Sequence, residues 1–529
     1  MIVTIESCTI CGMQCIPVRV EVDVTKGLPC FEMVGYLGSE VREARERVRV
    51  ALKNIGIELP PVRITVNLAP AHVYKAGTAY DLPIAVGILA ALEILPREQV
   101  EGILMVGEIG LDGEIRPVRG VLPIVQQVEK RGISHCLIPK ANEREGAVVQ
   151  NIKITGVTDL GQVLEYLLRS PKNRDALIPP ARVELESLFG EMQGAASLDF
   201  MDVSGQEMAK RGVEIAAAGF HNVLMIGPPG AGKTMIAKRI PGILPPLDLK
   251  ESLEVTAIYS VAGLLKENET LITSRPFLSP HHTISEPALV GGGRVPRPGV
   301  VSLAHHAVLF LDEFGEFKRK TLDILRQPLE EKKVHIARTY GNFTYPADFM
   351  LVAAMNPCPC GYFPDRKRCR CTDAEINRYL AKISGPILDR IDICVEAAPV
   401  KIEQLTVAGD KAKNSVGKNV GKNVENSATI RERVMQAHRR QQERFVGTGY
   451  CFNSQINGAD VAKFCVPGSE GKKLLNSAFK SMGLSARGYH KVLKVARTIA
   501  DLDGSENIEE THIAEAICYR GLDLKYQPL

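Results

Sequence analysis

The stretch that decides the fold is Gly227-Pro228-Pro229-Gly230-Ala231-Gly232-Lys233-Thr234. It matches G-x-x-x-x-G-K-[ST], the pattern of a loop that wraps phosphate groups. An apolar run at 222–226 precedes it as a predicted buried strand, and a predicted helix follows it. Glycines let backbone N–H groups turn toward phosphate oxygens at a helix N-terminus, whose dipole favours anions. We therefore expect all eight residues to bind a nucleotide, with Lys233 on its β- and γ-phosphates and Thr234 on Mg²⁺.

A second apolar run ends in two carboxylates, at Val308-Leu309-Phe310-Leu311-Asp312-Glu313. We expect a buried strand after which Asp312 holds Mg²⁺ and Glu313 polarises the attacking water. A third predicted strand, 349–355, ends at Asn356. That side chain would lie between the carboxylates and the γ-phosphate. The alternative is that Asn356 only caps the turn before Pro357.

Size and composition place few limits on function. The chain has 529 residues and a mass of 57.8 kDa, enough for about three or four domains. With 45% apolar and 24% charged residues, it is not mainly disordered, fibrous or a small disulfide scaffold. The net charge of +4 neither requires nor excludes nucleic acid. There is no signal-peptide pattern and no apolar run near the ~18 residues that cross a membrane, so we expect a cytoplasmic protein with no membrane partner.

The residue pattern divides the chain into five regions. Residues 1–168 mix short strands with helices, which indicates an α+β domain, and 169–200 have the prolines of a linker. Strands then alternate with helices over 201–400, which predicts a parallel sheet covered on both faces. Residues 401–428 are polar with a repeated Gly-Lys-Asn-Val, and we expect them to be flexible. Apolar spacing over 429–529 predicts a helical lid domain.

Four of the 13 cysteines crowd into residues 358–371. Four thiolates suit tetrahedral Zn²⁺, although the C-x-C spacing is tighter than the commoner C-x₂-C. Redox-active thiols and two local disulfides, which would be strained, are the alternatives. Arginine and lysine residues make this cysteine knuckle basic, so contact with DNA or a partner is possible. We expect a structural Zn²⁺ site formed by Cys358, Cys360, Cys369 and Cys371.

Further motifs carry a closer resemblance. They are Gly205-Gln206, residues 384–392, Ser485-Ala486-Arg487 and residues 496–502. With the nucleotide motifs, they make the chain similar to the magnesium-chelatase-like AAA+ ATPases, and over nearly its whole length it resembles the ComM/YifB family. The resemblance implies an ATP-driven hexameric DNA helicase that promotes branch migration during natural transformation and homologous recombination. The implied partners are single-stranded and branched DNA, further copies of the chain in a homohexamer, and recombination proteins.

The resemblance also implies roles for three polar residues. Asn356 corresponds to sensor 1, Arg390 to an arginine finger that reaches the neighbouring subunit's γ-phosphate, and Arg487 to sensor 2. A planar guanidinium fits phosphate oxygens and stabilises the charge that develops during phosphoryl transfer. Without the resemblance, each arginine would be interpreted as a surface ion pair.

Two inserted segments are candidates for DNA contact. Residues 289–299 contain three glycines followed by basic residues, and in related ATPases an insert in this region projects toward the central pore. Residues 332–345 alternate about a Gly-Asn dipeptide, which predicts a β-hairpin. The alternative is an ordinary hairpin with a solvated face. Basic side chains would follow phosphates and a tyrosine would stack on a base, so the predicted contacts are Arg294, Arg297, Lys332, Lys333, Arg338 and Tyr340.

Residues 1–168 resemble the proteolytic domain of Lon-type proteases, through the segments 106–113 and 137–140. Lon enzymes use a serine nucleophile that a lysine activates. Alignment puts Ala79 at the serine position and Leu122 at the lysine position. We therefore expect a catalytically degenerate domain that acts as a scaffold or interaction ring.

These features discriminate among four candidate functions. The missing dyad disfavours an ATP-dependent protease, and the intact nucleotide motifs disfavour a non-enzymatic DNA-binding adaptor. A chelatase-like remodelling ATPase that acts on a protein partner shares the ATPase core, but it does not account for the Lon-like domain or the cysteine knuckle. The DNA motor accommodates the basic inserts and both additional features.

Overall fold

A computed structural model describes residues 2–190, 198–266, 269–339, 341–398 and 425–525. Tyr340 and most of the segment predicted to be flexible lie outside these ranges. The described residues form an N-terminal α+β unit, a parallel α/β core and a set of C-terminal helices. The predicted fold class, a parallel-sheet α/β core with a helical C-terminal region, is confirmed.

The N-terminal unit is built on a seven-stranded mixed sheet with the strand order β3-β4-β2-β1-β5-β8-β9. Burial alternates along β2, where Val18, Val20 and Val22 are buried and Arg19 is exposed. This period of two places one face of the sheet against the helices. The strands of this sheet are β1 (Val3–Cys11), β2 (Gln14–Thr25), β3 (Cys30–Val34), β4 (Arg63–Ala69), β5 (Ile103–Met105), β8 (His135–Pro139) and β9 (Lys153–Val157). A separate short hairpin is formed by β6 (Glu108–Ile109) and β7 (Ile115–Arg116).

Helices Ser39–Asn54 and Asp81–Ala91 belong to the core of this unit. Asp81 is fully buried, and the guanidinium of Arg47 donates to its carboxylate at 2.7 Å, which compensates the buried charge. Arg174 is also buried and donates to the carbonyl oxygen of Gln99, so the start of the predicted linker packs on this unit. The remaining helices are Val121–Lys130, Glu143–Gly146, Leu160–Leu168, Arg174–Leu177 and Leu185–Gly190.

The central sheet has five parallel strands in the order β11-β14-β17-β10-β18. Every residue of β10, β14 and β17 is buried, as expected for a sheet covered on both faces. Because parallel strands end at the same edge, the residues that follow these three strands come together there. The strands are β10 (Val223–Ile226), β11 (Phe277–Leu278), β14 (Val308–Leu311), β17 (Met350–Met355) and β18 (Ile393–Glu396).

The two inserts of this core form small antiparallel ribbons. β12 (Gly291–Gly292) pairs with β13 (Arg297–Pro298), and β15 (Lys333–Arg338) pairs with β16 (Gly341–Pro346). The second ribbon is the predicted hairpin, but Arg338 pairs with Gly341, so the Gly-Asn dipeptide lies in the second strand and not in the turn. The helices of the core are Glu207–Gly219, Lys233–Ala237, Ile240–Ile243, Leu249–Ala262, Glu286–Val290, Val300–Leu303, Arg319–Ile324, Arg326–Glu331, Asp373–Leu380 and Gly385–Leu388.

The C-terminal helices share one apolar cluster with the central sheet, through residues such as Val223, Val434 and Val492. Asp501, fully buried, accepts hydrogen bonds from Arg444 and Arg497, which ties two of these helices together. None of the helices in the described part of the chain is long and apolar enough to cross a membrane. The C-terminal helices are Ser427–Arg444, Val461–Phe464, Ser469–Met482, Ala486–Asp503 and Glu510–Lys525.

Candidate nucleotide site and its surroundings

The predicted phosphate-binding loop connects β10 to helix Lys233–Ala237. Gly230 and Gly232 have φ angles of +76° and +82°, which glycine adopts without strain. A Cβ atom on Gly227 would lie 2.3 Å from the carbonyl oxygen of Ala397, so this position has no room for a side chain. The loop therefore presents backbone N–H groups at a helix N-terminus, as a phosphate site requires.

Lys233 lies inside this loop. Its ammonium donates to the carbonyl oxygens of Gly227 at 2.6 Å and Pro228 at 2.9 Å, and to Asn356 Oδ1 at 3.2 Å. Burial lowers the pKa of Lys233 to about 8, although the nearby charge of Asp312 acts in the opposite direction. The contact with Asn356 places the predicted sensor 1 residue beside the phosphate loop.

The two predicted Mg²⁺ ligands lie in contact. Thr234 Oγ1 donates to Asp312 Oδ2 at 2.8 Å, and the backbone N–H of Glu313 donates to Asp312 Oδ1 at 2.9 Å. A hydroxyl and a carboxylate are the oxygen ligands that Mg²⁺ takes in nucleotide sites. The donor set therefore fits Mg²⁺ held between the protein and a nucleotide.

Glu313 has a partner that the sequence motifs did not reveal. His282 Nδ1 lies 3.0 Å from Glu313 Oε2, and the His282 ring also packs edge-on against Phe317. Glu313 itself has a φ angle of +51°, in the left-handed region, shortly after β14 ends at Leu311. The sequence feature that could have revealed this partner is the adjacent pair His281-His282 after β11. Because β11 and β14 are parallel neighbours in the sheet, the residues that follow them lie close together.

The two predicted nucleotide-contacting arginines meet at one carboxylate. Arg390 Nη2 binds Glu330 Oε2 at 2.5 Å, and Arg487 Nη2 binds Glu330 Oε1 at 2.7 Å. Both arginines line a charged cavity of about 750 Å³ between the core and the C-terminal helices. Neither lines the cavity at the phosphate loop of the same chain.

The predicted DNA-contacting segments lie side by side. Arg338 Nε donates to the carbonyl oxygen of Gly293 at 3.2 Å, so the hairpin supports the glycine-rich loop. Arg294, Arg297, Lys333 and Arg338 are exposed. Burial, and then the positive charge of Arg297, lower the pKa of Arg119 in the N-terminal unit, which places a further cation near this surface.

Lys332 differs from the other predicted DNA contacts. Its ammonium lies 3.0 Å from Asp348 Oδ1, and its side chain lines the same cavity as Arg390 and Arg487. The structure therefore places it with the charged cavity and not with the exposed arginines. Tyr340 is outside the described residues.

The four clustered cysteines come together as the sequence predicted. Their sulfur atoms all lie within 4.8 Å of one another, and Cys358 Sγ is 3.4 Å from Cys360 Sγ and 3.8 Å from Cys369 Sγ. Four sulfurs bound tetrahedrally to Zn²⁺ at about 2.3 Å would have similar separations. All four are free thiols, so the geometry fits a Zn²⁺ site formed by them, and Cys371 completes the set.

Backbone groups also favour a thiolate in this cluster. Burial raises the pKa of the Cys360 thiol, but hydrogen bonds with the N–H groups of Tyr362 and Arg370 and with the Cys358 and Cys371 thiols together lower that pKa to about 6. The N–H of Phe363 donates to Cys358 Sγ at 3.4 Å. Such donors orient sulfur ligands and stabilise their negative charge.

A second group of metal-binding residue types has a different explanation. His305 Nε2 and His306 Nε2 each lie 3.1 Å from the same oxygen of Glu254. His305 Nδ1 accepts the N–H of Asp348 at 3.0 Å, so the proton of this imidazole is on Nε2. His305 Nε2 is then a hydrogen-bond donor to Glu254 and has no lone pair for a metal.

The two positions of the Lon-type dyad are apolar and belong to the packed interior of the N-terminal unit. Ala79 and Leu122 belong to one hydrophobic cluster. Nearby, Thr78 donates to Glu108, and the buried ammonium of Lys75 donates to the carbonyl oxygen of Pro70. Burial lowers the pKa of Lys75, but no hydrogen bond described in the structure joins it to Thr78.

Comparisons with known proteins agree with this geometry. Residues 199–405 match the family "Magnesium chelatase, subunit ChlI", residues 20–142 match "Subunit ChlI of Mg-chelatase", and residues 424–520 match its C-terminal family. A strand-loop-helix phosphate site followed by paired carboxylates on a parallel sheet is the architecture of a P-loop ATPase. The chain belongs to the magnesium-chelatase class of AAA+ ATPases.

Full-length relatives identify the branch of this class. The Uncharacterized protein YifB of Escherichia coli is 41% identical over 520 residues, 97% of this chain and 96% of the relative. The Competence protein ComM of Haemophilus influenzae is 40% identical over 514 residues, with the same coverage of 97% and 96%. The chain is thus a member of the YifB/ComM family. A partial match, 28% over 163 residues, is to the Archaeal Lon protease of Thermococcus kodakarensis, covering 30% of this chain and 25% of the relative.

Proposed function

We propose that this chain is an ATP-driven DNA motor that works as a homohexamer and promotes branch migration during natural transformation and homologous recombination. The observation that carries the proposal is the convergence of Lys233, Thr234, Asp312, Glu313 and Asn356 at one edge of the central sheet. The full-length likeness to a protein named for competence supports the DNA-related part.

The chemistry follows from the positions of these groups. Mg²⁺, held by Thr234 and Asp312, would neutralise charge on the β- and γ-phosphates. Lys233 binds the same phosphates, and Asn356 orients the γ-phosphate and the attacking water. Glu313 accepts the proton of that water as it attacks phosphorus, and ADP carries away the electron pair of the broken P–O bond.

Hexamer formation would complete the site. Arg390 and Arg487 lie together at Glu330, in a cavity whose lining includes none of Lys233, Thr234, Asp312 and Glu313. We infer that both guanidinium groups act on the nucleotide of the neighbouring subunit, where positive charge stabilises the transition state. Hydrolysis would then require assembly.

DNA would bind the surface formed by the glycine-rich loop and the hairpin, through Arg294, Arg297, Lys333 and Arg338. These side chains are exposed and lie on adjacent segments. We assign Lys332 to the charged cavity because of its contact with Asp348. The contribution of Tyr340 stays a prediction from the sequence.

We also infer that the four clustered cysteines hold a structural Zn²⁺. The sulfur separations and the backbone N–H donors support this assignment over redox-active thiols or local disulfides. When bound, Zn²⁺ would fix the fold of a knuckle that has little apolar core of its own.

The deciding experiment is an ATPase assay of the full chain alone, with single-stranded DNA and with branched DNA, using Lys233→Ala as the control. The motor predicts strong stimulation by DNA, strand displacement, and loss of turnover in the variant. A turnover that DNA does not change would favour the second candidate, a chelatase-like ATPase that remodels a protein partner, which the family match supports. No turnover under any condition would contradict both.

A further inference from the structure

The cysteine knuckle is in direct contact with the phosphate-binding loop. Gly361, between the two cysteine pairs, has a φ angle of +83°, and a Cβ atom there would lie 2.5 Å from Pro229 Cδ and 3.7 Å from Asn356 Cγ. The knuckle follows β17 immediately after Asn356. Its backbone therefore packs against both the phosphate loop and the predicted sensor residue, and a side chain at Gly361 would force them apart.

Two knuckle side chains near this contact line a cavity beside the phosphate-binding loop. Tyr362 and Arg368 line the cavity of about 380 Å³ whose other walls are the phosphate loop and residues 202–206. The Arg368 guanidinium carbon lies 4.4 Å from the centroid of the Tyr362 ring. This cation–π contact holds the flexible Arg368 side chain over the rigid Tyr362 ring and so restricts the positions of the guanidinium.

The charge of Arg368 is not neutralised locally. Within the described part of the chain, Arg368 has the Tyr362 ring as its contact and no carboxylate partner. By contrast, Arg366 on the same knuckle is bound to Asp373. Arg370, which is exposed like Arg368, does not line the cavity. Arg368 is therefore the knuckle cation that lines the cavity beside the phosphate-binding loop.

We propose that Arg368 is a nucleotide-binding residue: placed by the cysteine knuckle and steadied on Tyr362, it binds the polyphosphate of the nucleoside triphosphate held by its own subunit. The proposal rests on the proposed nucleotide binding at the phosphate loop and adds a ligand group to it. A guanidinium suits this task because it donates several hydrogen bonds to phosphate oxygens in fixed directions. The four cysteines then act at the nucleotide site, since they hold the turn that carries Arg368.

This arrangement gives the cysteine cluster a consequence beyond stability. If Zn²⁺ shapes the knuckle, loss of the metal releases Tyr362 and Arg368 from the cavity wall. Nucleotide affinity should then depend on the metal, even where the sheet and the phosphate loop remain folded.

The test is equilibrium binding of a fluorescent, slowly hydrolysed ATP analogue to the full-length, metal-containing chain in the presence of Mg²⁺. Arg368→Ala should weaken binding about tenfold, the usual loss for a hydrogen bond to a charged group. Arg368→Lys should give an intermediate loss, because charge is kept and the planar fork is not. Arg370→Ala is the matched control and should bind like the unchanged protein.

Competition by ATP, ADP and AMP identifies the part of the ligand that is recognised. The loss caused by Arg368→Ala should be large for ATP and small for AMP. An equal loss for AMP, or binding within twofold of the unchanged protein, would overturn the assignment. If the unchanged protein itself does not bind the analogue, the proposed ATPase function fails, which is a different result.

The same binding assay with the fluorescent ATP analogue measures the metal dependence. Chelator treatment, followed by circular dichroism to check that the fold remains, should weaken binding of the analogue to the unchanged protein. It should have little further effect on Arg368→Ala, because both changes remove the same contact. Additive losses would contradict a role of the metal in placing Arg368.

Discussion

His282 Nδ1 lies 3.0 Å from Glu313 Oε2. The predicted catalytic carboxylate, which follows β14, is thus held by a side chain from the segment that follows the neighbouring strand β11. The same connection continues through the cap at Ser285 into helix Glu286–Val290 and then into the glycine-rich loop that carries Arg294. A short, continuous piece of chain thus joins the proposed DNA surface to Glu313, the carboxylate proposed to activate water. Movement of this segment on DNA binding would change the orientation of Glu313.

The first prediction concerns this contact. His282→Ala should lower kcat for ATP hydrolysis about tenfold, because a carboxylate without a partner is less often aimed at the water. The KM should change little, since the contact that is lost is to Glu313 and not to the phosphate-binding loop. Steady-state ATPase kinetics measure both values. His281→Ala is the comparison variant and should have the smaller effect, because His281 pairs with Thr283 and packs on the His282 ring at 4.1 Å but does not contact Glu313. Equal effects of the two variants would contradict a specific role.

The second prediction is a pH dependence of ATP binding. Burial lowers the pKa of Lys233 to about 8 in the free protein, whereas bound phosphate would raise it. Lys233 binds phosphate in its charged form, which predominates in the free protein below its pKa of about 8. The affinity for ATP should therefore be constant below about pH 7. It should fall as the pH rises through 8, by at most tenfold per pH unit. Above pH 8, ATP binding should therefore take up a proton.

Calorimetry at pH 9 in two buffers of different ionisation heat measures that uptake. Lys233→Arg is the control, because a guanidinium stays charged at this pH. Whatever ATP binding this variant retains should occur without proton uptake. Absence of proton uptake by the unchanged protein would show that Lys233 keeps its charge throughout.

The third prediction tests whether Arg390 acts between subunits. Arg390→Ala and Glu313→Gln should each hydrolyse ATP at least a hundredfold more slowly than the unchanged chain. Hexamers assembled from a mixture of the two variants should recover part of the ATPase activity. In such hexamers the intact phosphate site of an Arg390→Ala chain can meet the intact Arg390 of a neighbouring Glu313→Gln chain. ATPase activity against mixing ratio measures the recovery. A mixture no more active than its components would place Arg390 in its own subunit's site or outside catalysis.

Glu330→Gln gives a complementary view of the same site, since Glu330 binds both Arg390 and Arg487 in the isolated chain. Removing its charge should leave both arginines freer to bind the neighbouring nucleotide. We expect an ATP-dependent assembly that forms at lower protein concentration, which sedimentation would detect.

The fourth prediction concerns DNA. Arg294→Glu combined with Arg338→Glu should weaken DNA binding and reduce the slope of log affinity against log salt by about two, roughly one per lost phosphate contact. Lys332→Ala is the matched control, because Lys332 is bound to Asp348 and should contribute little. Fluorescence anisotropy over a salt series gives both quantities. A full effect of Lys332→Ala, or none of the double variant, would contradict the proposed surface.

The fifth prediction is one Zn²⁺ per chain after purification without chelators. Cys369→Ser should lose the metal and lower the melting temperature, because the knuckle loses the bond that closes it. Cys451→Ser, an exposed cysteine outside the cluster, should keep both. Metal analysis and thermal unfolding measure the two properties. Substantially less than one Zn²⁺ in the unchanged protein would return the cluster to the redox alternatives.

The sequence predicted much of the nucleotide site because its residues are adjacent in the chain or follow buried strands. Lys233 and Thr234 belong to one contiguous loop, and Asp312 and Asn356 were recognisable as the residues after apolar runs. The cysteine pairs could be grouped for the same reason. In the hairpin, the Gly-Asn dipeptide suggested a turn, but the pairing of Arg338 with Gly341 moved the reversal, because cross-strand packing of Val334, Ile336, Phe343 and Tyr345 sets the register.

The sequence by itself determined the α/β class, the phosphate loop and the residue types available for metal and phosphate. Only the tertiary structure decided which distant groups meet: His282 with Glu313, Arg390 and Arg487 at Glu330, and Arg368 with the phosphate loop. The physical reason is that periodicity and motif spacing report on local backbone geometry. Contacts between segments depend on strand order and on side-chain packing in the folded chain.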